Sequence, residues 1–320
     1  MLRIHFTAED LARVRLAPAA DPLWEMLLSA HTLGTGPAGG ALGDWARWAR
    51  PRLRADARLL FQLAPPRGYS ADFLTPAGGS TRLEDGIETV LGTPRRRLRT
   101  DLAQLAGRPG SAEAVRLLAG GEASSLARLG SSLHGYFEAT LAPIWRSVED
   151  DVAADRAIRG RALLDGGVER LLRTIYPGAR WESPVLLMPY PADRDLLLDG
   201  RGLLLVPSYF CQGLPISLLD PALPPVLVYP ITHTAALPAG AGTRALDDLV
   251  GATRAGVLRC LATAGHGQST TDLAQRLGAS LPSVSEHMTV LRRAGLASTR
   301  REGRRSLHTI TVLGRQMLRP

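Results

Sequence analysis

The sequence contains no lysine, and all 38 of its basic residues are arginine. That bias runs the length of the chain, so it fits a GC-rich coding genome better than the demands of any single site. Cysteine is almost as scarce. Cys211 and Cys260 are the only two, too few and too far apart to frame a disulfide-stapled fold, and free thiols are expected. No apolar run approaches the roughly 20 residues that cross a bilayer, and Met1–Phe6 lacks the basic-then-apolar pattern of a secretory leader. A cytoplasmic chain without membrane contact is expected. The sequence also lacks HExxH, a GxSxG elbow, a Walker loop and a paired CxxC. Gly36–Gly43 has glycines, but not at the spacing or in the strand-to-helix setting of a nucleotide loop. No catalytic residues, cofactor or metal site are expected, and the chain is read as a non-enzyme.

The chain does have enough apolar residues for a core. With 45% apolar residues over 320 positions, it can support two domains of unequal size. Charge separates them. From Arg244 to Pro320 there are twelve arginines against five acidic residues (Asp247, Asp248, Asp272, Glu286 and Glu302), so this segment carries +7 of the chain's net +8. Positive charge gathered into one short segment is the electrostatic footprint of a phosphate-binding module.

Leu2, Ile4 and Phe6 alternate as in a strand, and Thr7-Ala8-Glu9-Asp10 then offers a helix cap. Pro22–Leu33 reads as helix, whereas Thr35–Gly43, Ala64–Tyr69 and Thr75–Ser80 read as loops. Ser111–Tyr176 is mainly helical, with breaks or bends at Gly120-Gly121, Pro143 and Gly166-Gly167. Within it Tyr136, Phe137, Leu141, Ile144, Trp145 and Val148 recur at core-facing spacing. Beyond it, Pro184–Pro189 and Leu196–Val206 hold short apolar runs. Asp199-Gly200-Arg201-Gly202 lies between Leu196–Leu198 and Leu203–Val206, a hairpin signal, and Val226–Ile231 adds a strand. The fold class expected is α+β: a largely helical N-terminal domain with a small β-sheet over residues 1–236, a linker rich in Ala, Gly and Pro over 237–243, and a winged helix-turn-helix over 244–320.

In the basic segment, Leu246, Leu249 and Val250, then Val257, Leu258 and Leu261, mark two packing helices, the second ended by Gly265–Gly267. Ser269 and Thr270 can cap a short helix carrying Leu273, Ala274 and Leu277, which Gly278 can close in the left-handed conformation. After the turn Gly278-Ala279-Ser280, Pro282 suits a first helical turn, and Val284, Met288 and Leu291 form an inward stripe. Ser283, Ser285, Glu286, Thr289, Arg292 and Arg293 face outward. Short side chains near its N-terminus would let this helix enter a major groove. Ala297–Thr299 and Leu307–Ile310 then read as two strands around the arginine-rich turn Arg300–Arg305. Its guanidinium groups suit phosphate or a narrow minor groove, and a last helix capped by Thr311 runs through Leu318. The candidate DNA-contacting residues are Ser280, Ser283, Ser285, Glu286, Thr289, Arg292, Arg293, Arg300, Arg301, Arg304 and Arg305.

In order and spacing, Gly251–Arg254, Thr271–Ala274, Leu277–Ser280, Val284–Met288, Val290–Leu296 and Arg301–Arg305 together resemble the winged helix of ArsR/SmtB-type transcriptional regulators. The resemblance covers about residues 244–320. Leu2–Thr7 and Gly202–Phe210 are similar to a large domain, without an assigned activity, that precedes such a winged helix in long ArsR-like proteins. The resemblance implies a homodimeric, sequence-specific repressor that reads two half-sites of a double-stranded operator. Two departures qualify it. Metal-sensing members carry cysteines where Thr271, Asp272, Leu273 and Ala274 stand here, so that sensor site is missing. Many members dimerise through a long final helix, whereas here Pro320 follows soon after Leu318, so dimerisation is expected to fall to the N-terminal domain, which is also the expected place for sensing a small-molecule or protein effector.

The remaining chemistry-bearing residues have plainer readings. His287 is read as a packed or capping histidine, Cys260 as a core thiol and Cys211 as a buried free cysteine. Glu149-Asp150-Asp151 with Asp155, beside Arg156, Arg159 and Arg161, is read as a solvated, ion-paired helix face. Two rival functions remain. One is a scaffold that docks a protein partner through the winged helix, for which an arginine-tipped wing is not needed. The other is a nucleic-acid-directed enzyme, against which the lack of a catalytic constellation counts.

Overall fold

The computed structural model describes residues 1–35, 40–105, 112–233, 246, 249–263, 267–302 and 305–318. The expected linker at 237–243 lies outside them. The chain divides into two units, Met1–Thr234 and Ala235–Pro320.

The first unit opens with β1 (Leu2–His5), whose alternation buries Leu2 and Ile4. It turns Arg3 and His5 outward, each with a nitrogen 2.8 Å from the Asp195 carboxylate. Thr7 then caps α1 (Ala8–Ala12) in a reciprocal capping box with Asp10, so two otherwise orphaned amides are satisfied by one short motif. After β2 (Arg15–Leu16), α2 (Pro22–Gly34) starts from Asp21, which accepts from the amides of Leu23 and Trp24. Pro22 supplies the preset first-turn φ and needs no donor there.

The helix α3 (Gly40–Ala49) begins inside the stretch read as a loop, of which residues 36–39 lie outside the described residues. Leu42, Trp45, Ala46 and Ala49 are all buried. That helical spacing against the core outweighs the local preference of glycine for irregular backbone. Four more helices follow: α4 (Arg58–Leu63), α5 (Leu83–Leu91), α6 (Arg95–Ala103) and α7 (Ala112–Ala119). Beyond them α8 (Ala123–Thr140) and α9 (Trp145–Thr174) flank a short 3-10 turn at Ala142–Ile144 that contains Pro143. Gly121 has a positive φ at the α7–α8 junction, and Gly166-Gly167 kinks α9. Tyr136, Phe137, Leu141, Ile144 and Val148 are buried.

The acidic run on α9 departs from its expected solvated state. Glu149 and Asp150 are exposed, but Asp151 and Asp155 are buried. Asp155 accepts from the Tyr229 hydroxyl at 2.6 Å and from Arg159 at 2.9 Å. Its partner Tyr229 lies far off in sequence, on the last strand of the unit, so the helix pattern alone could not reveal the burial.

Instead of one small sheet there are two of four strands. The first has the order β3 (Arg180–Glu182), β4 (Val185–Met188), β1, β5 (Arg194–Leu197). Its β1–β5 pair is parallel and the others antiparallel. The second has the order β2, β6 (Leu204–Ser208), β8 (Val226–Pro230), β7 (Ile216–Ser217). In it β2, β6 and β8 run parallel, and β7 is antiparallel to β8.

The turn at Asp199–Gly202 therefore joins strands of different sheets and does not close a hairpin. Asp199, Gly200 and Gly202 do take positive φ, as the sequence pattern requires, but tertiary bonds set the direction of exit. The Gly202 amide donates to the Asp10 carboxylate at 2.8 Å, and the Arg201 guanidinium spans the carbonyls of Leu197, Pro221 and Leu223.

Candidate nucleic-acid interface

In the second unit Leu246 is buried, whereas Leu249 is exposed and not packed as its position suggested. The helix α10 (Ala252–Thr263) follows and buries Val257, Leu258 and Leu261. Cys260 is half-buried against the same core. A short strand, β9 (Gln268–Ser269), leads into α11 (Thr270–Leu277). Ser269 and Asp272 form a capping box at its start, and Gly278 ends it in the left-handed conformation at φ 62°. A Cβ at Gly278 would meet nothing within 4 Å, so glycine is favoured there by backbone conformation alone.

The helix α12 (Leu281–Arg293) starts at Ser280, whose hydroxyl accepts from the Ser283 amide at 3.4 Å. Ser280 thus has a capping role while remaining exposed. Val284, Met288 and Leu291 are buried, each such side chain contributing about 2 kcal/mol to packing. The register of the helix about its axis follows from that stripe. It leaves Ser285, Glu286, Thr289, Arg292 and Arg293 exposed and Ser283 half-buried. The Thr289 hydroxyl donates to the Ser285 carbonyl at 3.0 Å. Arg292 and Arg293 occupy the last turn, where positive charge suits the helix dipole. His287 is half-buried, and its Nδ1 lacks a hydrogen-bond partner.

Gly295 takes φ 72°, and the Leu296 amide donates back to the Leu291 carbonyl, which ends α12 and launches β10 (Ala297–Glu302). This strand pairs with β11 (Arg305–Ile310) over its whole length, from Ala297 opposite Ile310 to Glu302 opposite Arg305. The strands are longer than the residue pattern suggested. Arg300 and Arg301 belong to the ladder itself, and being adjacent they project from opposite faces of the ribbon. Both are exposed. Gly303 and Arg304 lie outside the described residues, as does the side chain of Arg305. Thr311 bonds back to the Gly295 carbonyl and caps α13 (Val312–Met317).

Sequence reasoning missed the clamp between the hairpin and α11. His308 is buried, with its Nδ1 2.8 Å from the Thr299 hydroxyl and its Nε2 3.0 Å from that of Thr270. Burial, and then the charge of Arg292, lower its pKa. The end of α12 and the hairpin are therefore within electrostatic reach of each other. In addition, β9 pairs with β11 to complete a three-stranded sheet. Two polar residues, Gln268 and Ser269, gave no strand signal of their own.

A family model for a helix-turn-helix domain matches residues 252–300. That span runs from α10 through α11 and α12 to Arg300 on β10, so the chain carries a helix-turn-helix domain. Neither the curated proteins nor the solved structures include a match to this chain. Among the described residues no helix is long and apolar enough to cross a membrane, and no group of three or more His, Cys, Asp or Glu could hold a metal ion. Cys211 is buried in the first unit, and burial pushes its thiol up to about 12.

Proposed function

We propose that this chain is a cytoplasmic, sequence-specific DNA-binding transcriptional regulator, a repressor of the ArsR/SmtB winged-helix kind that acts as a homodimer. The Met1–Thr234 unit would supply dimerisation or effector sensing and no catalysis. One observation carries the reading. Buried Val284, Met288 and Leu291 fix α12 so that Ser285, Thr289 and Arg292, spaced i, i+4 and i+7, form an exposed stripe with short side chains first and the cation last. A helix of that shape can enter a major groove at its N-terminal half while its C-terminal arginines meet phosphate.

In this reading the β10–β11 hairpin is the wing, and Arg300, Arg301, Arg304 and Arg305 hold the backbone or the minor groove. Ser280 and Ser283 serve the helix start, and Glu286 can accept from a cytosine amino group. A metal sensor of the thiolate type is not part of the proposal.

Fluorescence anisotropy on duplex from upstream of the chain's own gene tests it, with unrelated DNA as competitor. The parent should bind with competitor resistance. Alanine at Ser285 and Thr289 should remove the resistance and leave weak general binding, whereas alanine at the four hairpin arginines should weaken binding to every duplex. Equal binding by all three proteins, or none above background, would reject the assignment.

A further inference from the structure

The Met1–Thr234 unit contains a cavity of about 840 Å³, towards the upper end of the roughly 300–1,000 Å³ typical of small-molecule sites. Four segments wall it: α2, the loop carrying Tyr69 and Ser70, the stretch from Tyr190 to Arg194, and the stretch from Phe210 to Leu219 that includes β7. Hydrogen bonds to buried carboxylates fix these walls to one another. Glu25 of α2 accepts from Ser208 and from the amides of Tyr209 and Phe210 at 2.7–2.9 Å. The Asp72 carboxylate takes the amides of Leu219 and Asp220. At the end of α2, a Cβ on Gly34 would stand only 2.8 Å from the Pro66 ring.

The lining fits one class of ligand. Trp24, Tyr69, Tyr190 and Phe210 offer ring faces and edges, and Leu28 and Leu214 lie among them. Both charged side chains in the wall are engaged with main chain. Asp72 is bonded as above, and Arg194 donates to the carbonyls of Leu218 and Leu219. The polar groups that remain are neutral. His31 lies 2.9 Å from the Ser70 hydroxyl, and burial lowers it to about 4. Gln212 donates its amide to Thr32 at 2.7 Å and keeps its carbonyl as an acceptor. Asp72 and Arg194 are of opposite sign, so the wall offers no net charge to offset the hydration that a charged ligand would lose.

We propose that this cavity binds an uncharged, largely apolar small molecule built on an aromatic ring, with one or two hydrogen-bonding groups placed towards His31 and Gln212. The site stands on the first unit alone, and only its use as an effector site rests on the regulator reading.

Nile red, an uncharged aromatic dye, is a suitable probe for the full chain. Titration should give saturable, blue-shifted emission at one dye per chain. Leu214→Trp, which fills the cavity, should weaken binding at least tenfold. So should Gln212→Trp, which adds bulk at an exposed position of the lining. Leu164→Ser, on the most exposed leucine of α9, should change nothing. No saturable binding by the parent, parental binding by both tryptophan variants, or loss of binding in Leu164→Ser would overturn the site. Circular dichroism and DNA anisotropy on the same samples separate the two claims. Loss of dye binding with DNA binding retained is the expected result for the tryptophan variants. Dye binding by a parent that ignores DNA would sink the regulator and leave the site.

Discussion

Gly202 shows how much of the first unit hangs on one backbone position. Its φ is +73°, and a Cβ there would fall 2.5 Å from both the carbonyl oxygen and the Cβ of Arg13. Its amide also feeds the buried Asp10 carboxylate. Burial pushes Asp10 up, but the hydrogen bonds from Thr7 and Gly202 outweigh it and leave its pKa lowered. Gly202→Ala should therefore lose about 3 kcal/mol in urea unfolding, from left-handed strain and overpacking together. Gly213 is the control, since its φ is +71° but a Cβ there meets nothing within 4 Å. Its alanine variant should lose only about 1 kcal/mol. Equal losses at the two positions would show that the contact with Arg13 does not matter.

At the scale of elements, the second unit is held in register by two capping serines, two left-handed glycines and the His308 clamp. The clamp gives a pH dependence whose sign is fixed. The folded-state pKa of His308 is lowered, chiefly by burial, so as pH falls the unfolded chain takes up the proton first. The neutral clamp's stabilisation is complete above the ordinary histidine value of about 6.5 and is lost as pH falls from there towards the folded value. Amide exchange over Ala297–Ile310 should speed up as pH is lowered towards about 5, after correction for intrinsic rates. In His308→Leu exchange should be faster at neutral pH and respond little to acid. A parental hairpin whose corrected exchange ignores pH would contradict this.

Elements held by neighbours in sequence were the legible ones. Thr7, Ser269 and Gly278 announce helix ends through bonds that span three or four residues. The stripe Val284–Met288–Leu291 gives α12 its inward face in the same way. Illegible elements depend on partners far along the chain. The Asp199–Gly202 turn could be recognised as a turn, but its exit direction depends on Asp10. The burial of Asp155 depends on Tyr229. His308 could not be placed without knowing that β11 runs beside both Thr270 and Thr299. Arg300 and Arg301 were recognised as exposed cations, yet their position on opposite faces of a strand followed only once the ladder was seen to extend to Glu302 and Arg305.

On the scale of the whole molecule, the basic excess and the cavity described above fall in different units. The basic excess lies in the last quarter with the helix-turn-helix, and the cavity lies in the Met1–Thr234 unit. That division suits a protein in which one unit meets phosphate and the other meets an uncharged ligand. A pocket lined by leucine and aromatic rings leaves no signature in residue spacing, because the same residues serve equally well as core.

The central claim, that arginine on the hairpin and on α12 meets DNA phosphate, is tested most directly by the salt dependence of DNA affinity. For the parent, the logarithm of the binding constant should fall linearly with the logarithm of salt concentration, with a slope of roughly −0.9 per phosphate contact. Alanine at Arg300 and Arg301 should flatten that slope by roughly 0.9 for each contact removed. Parallel lines for parent and variant would contradict the account, because those arginines would then not touch the phosphate backbone.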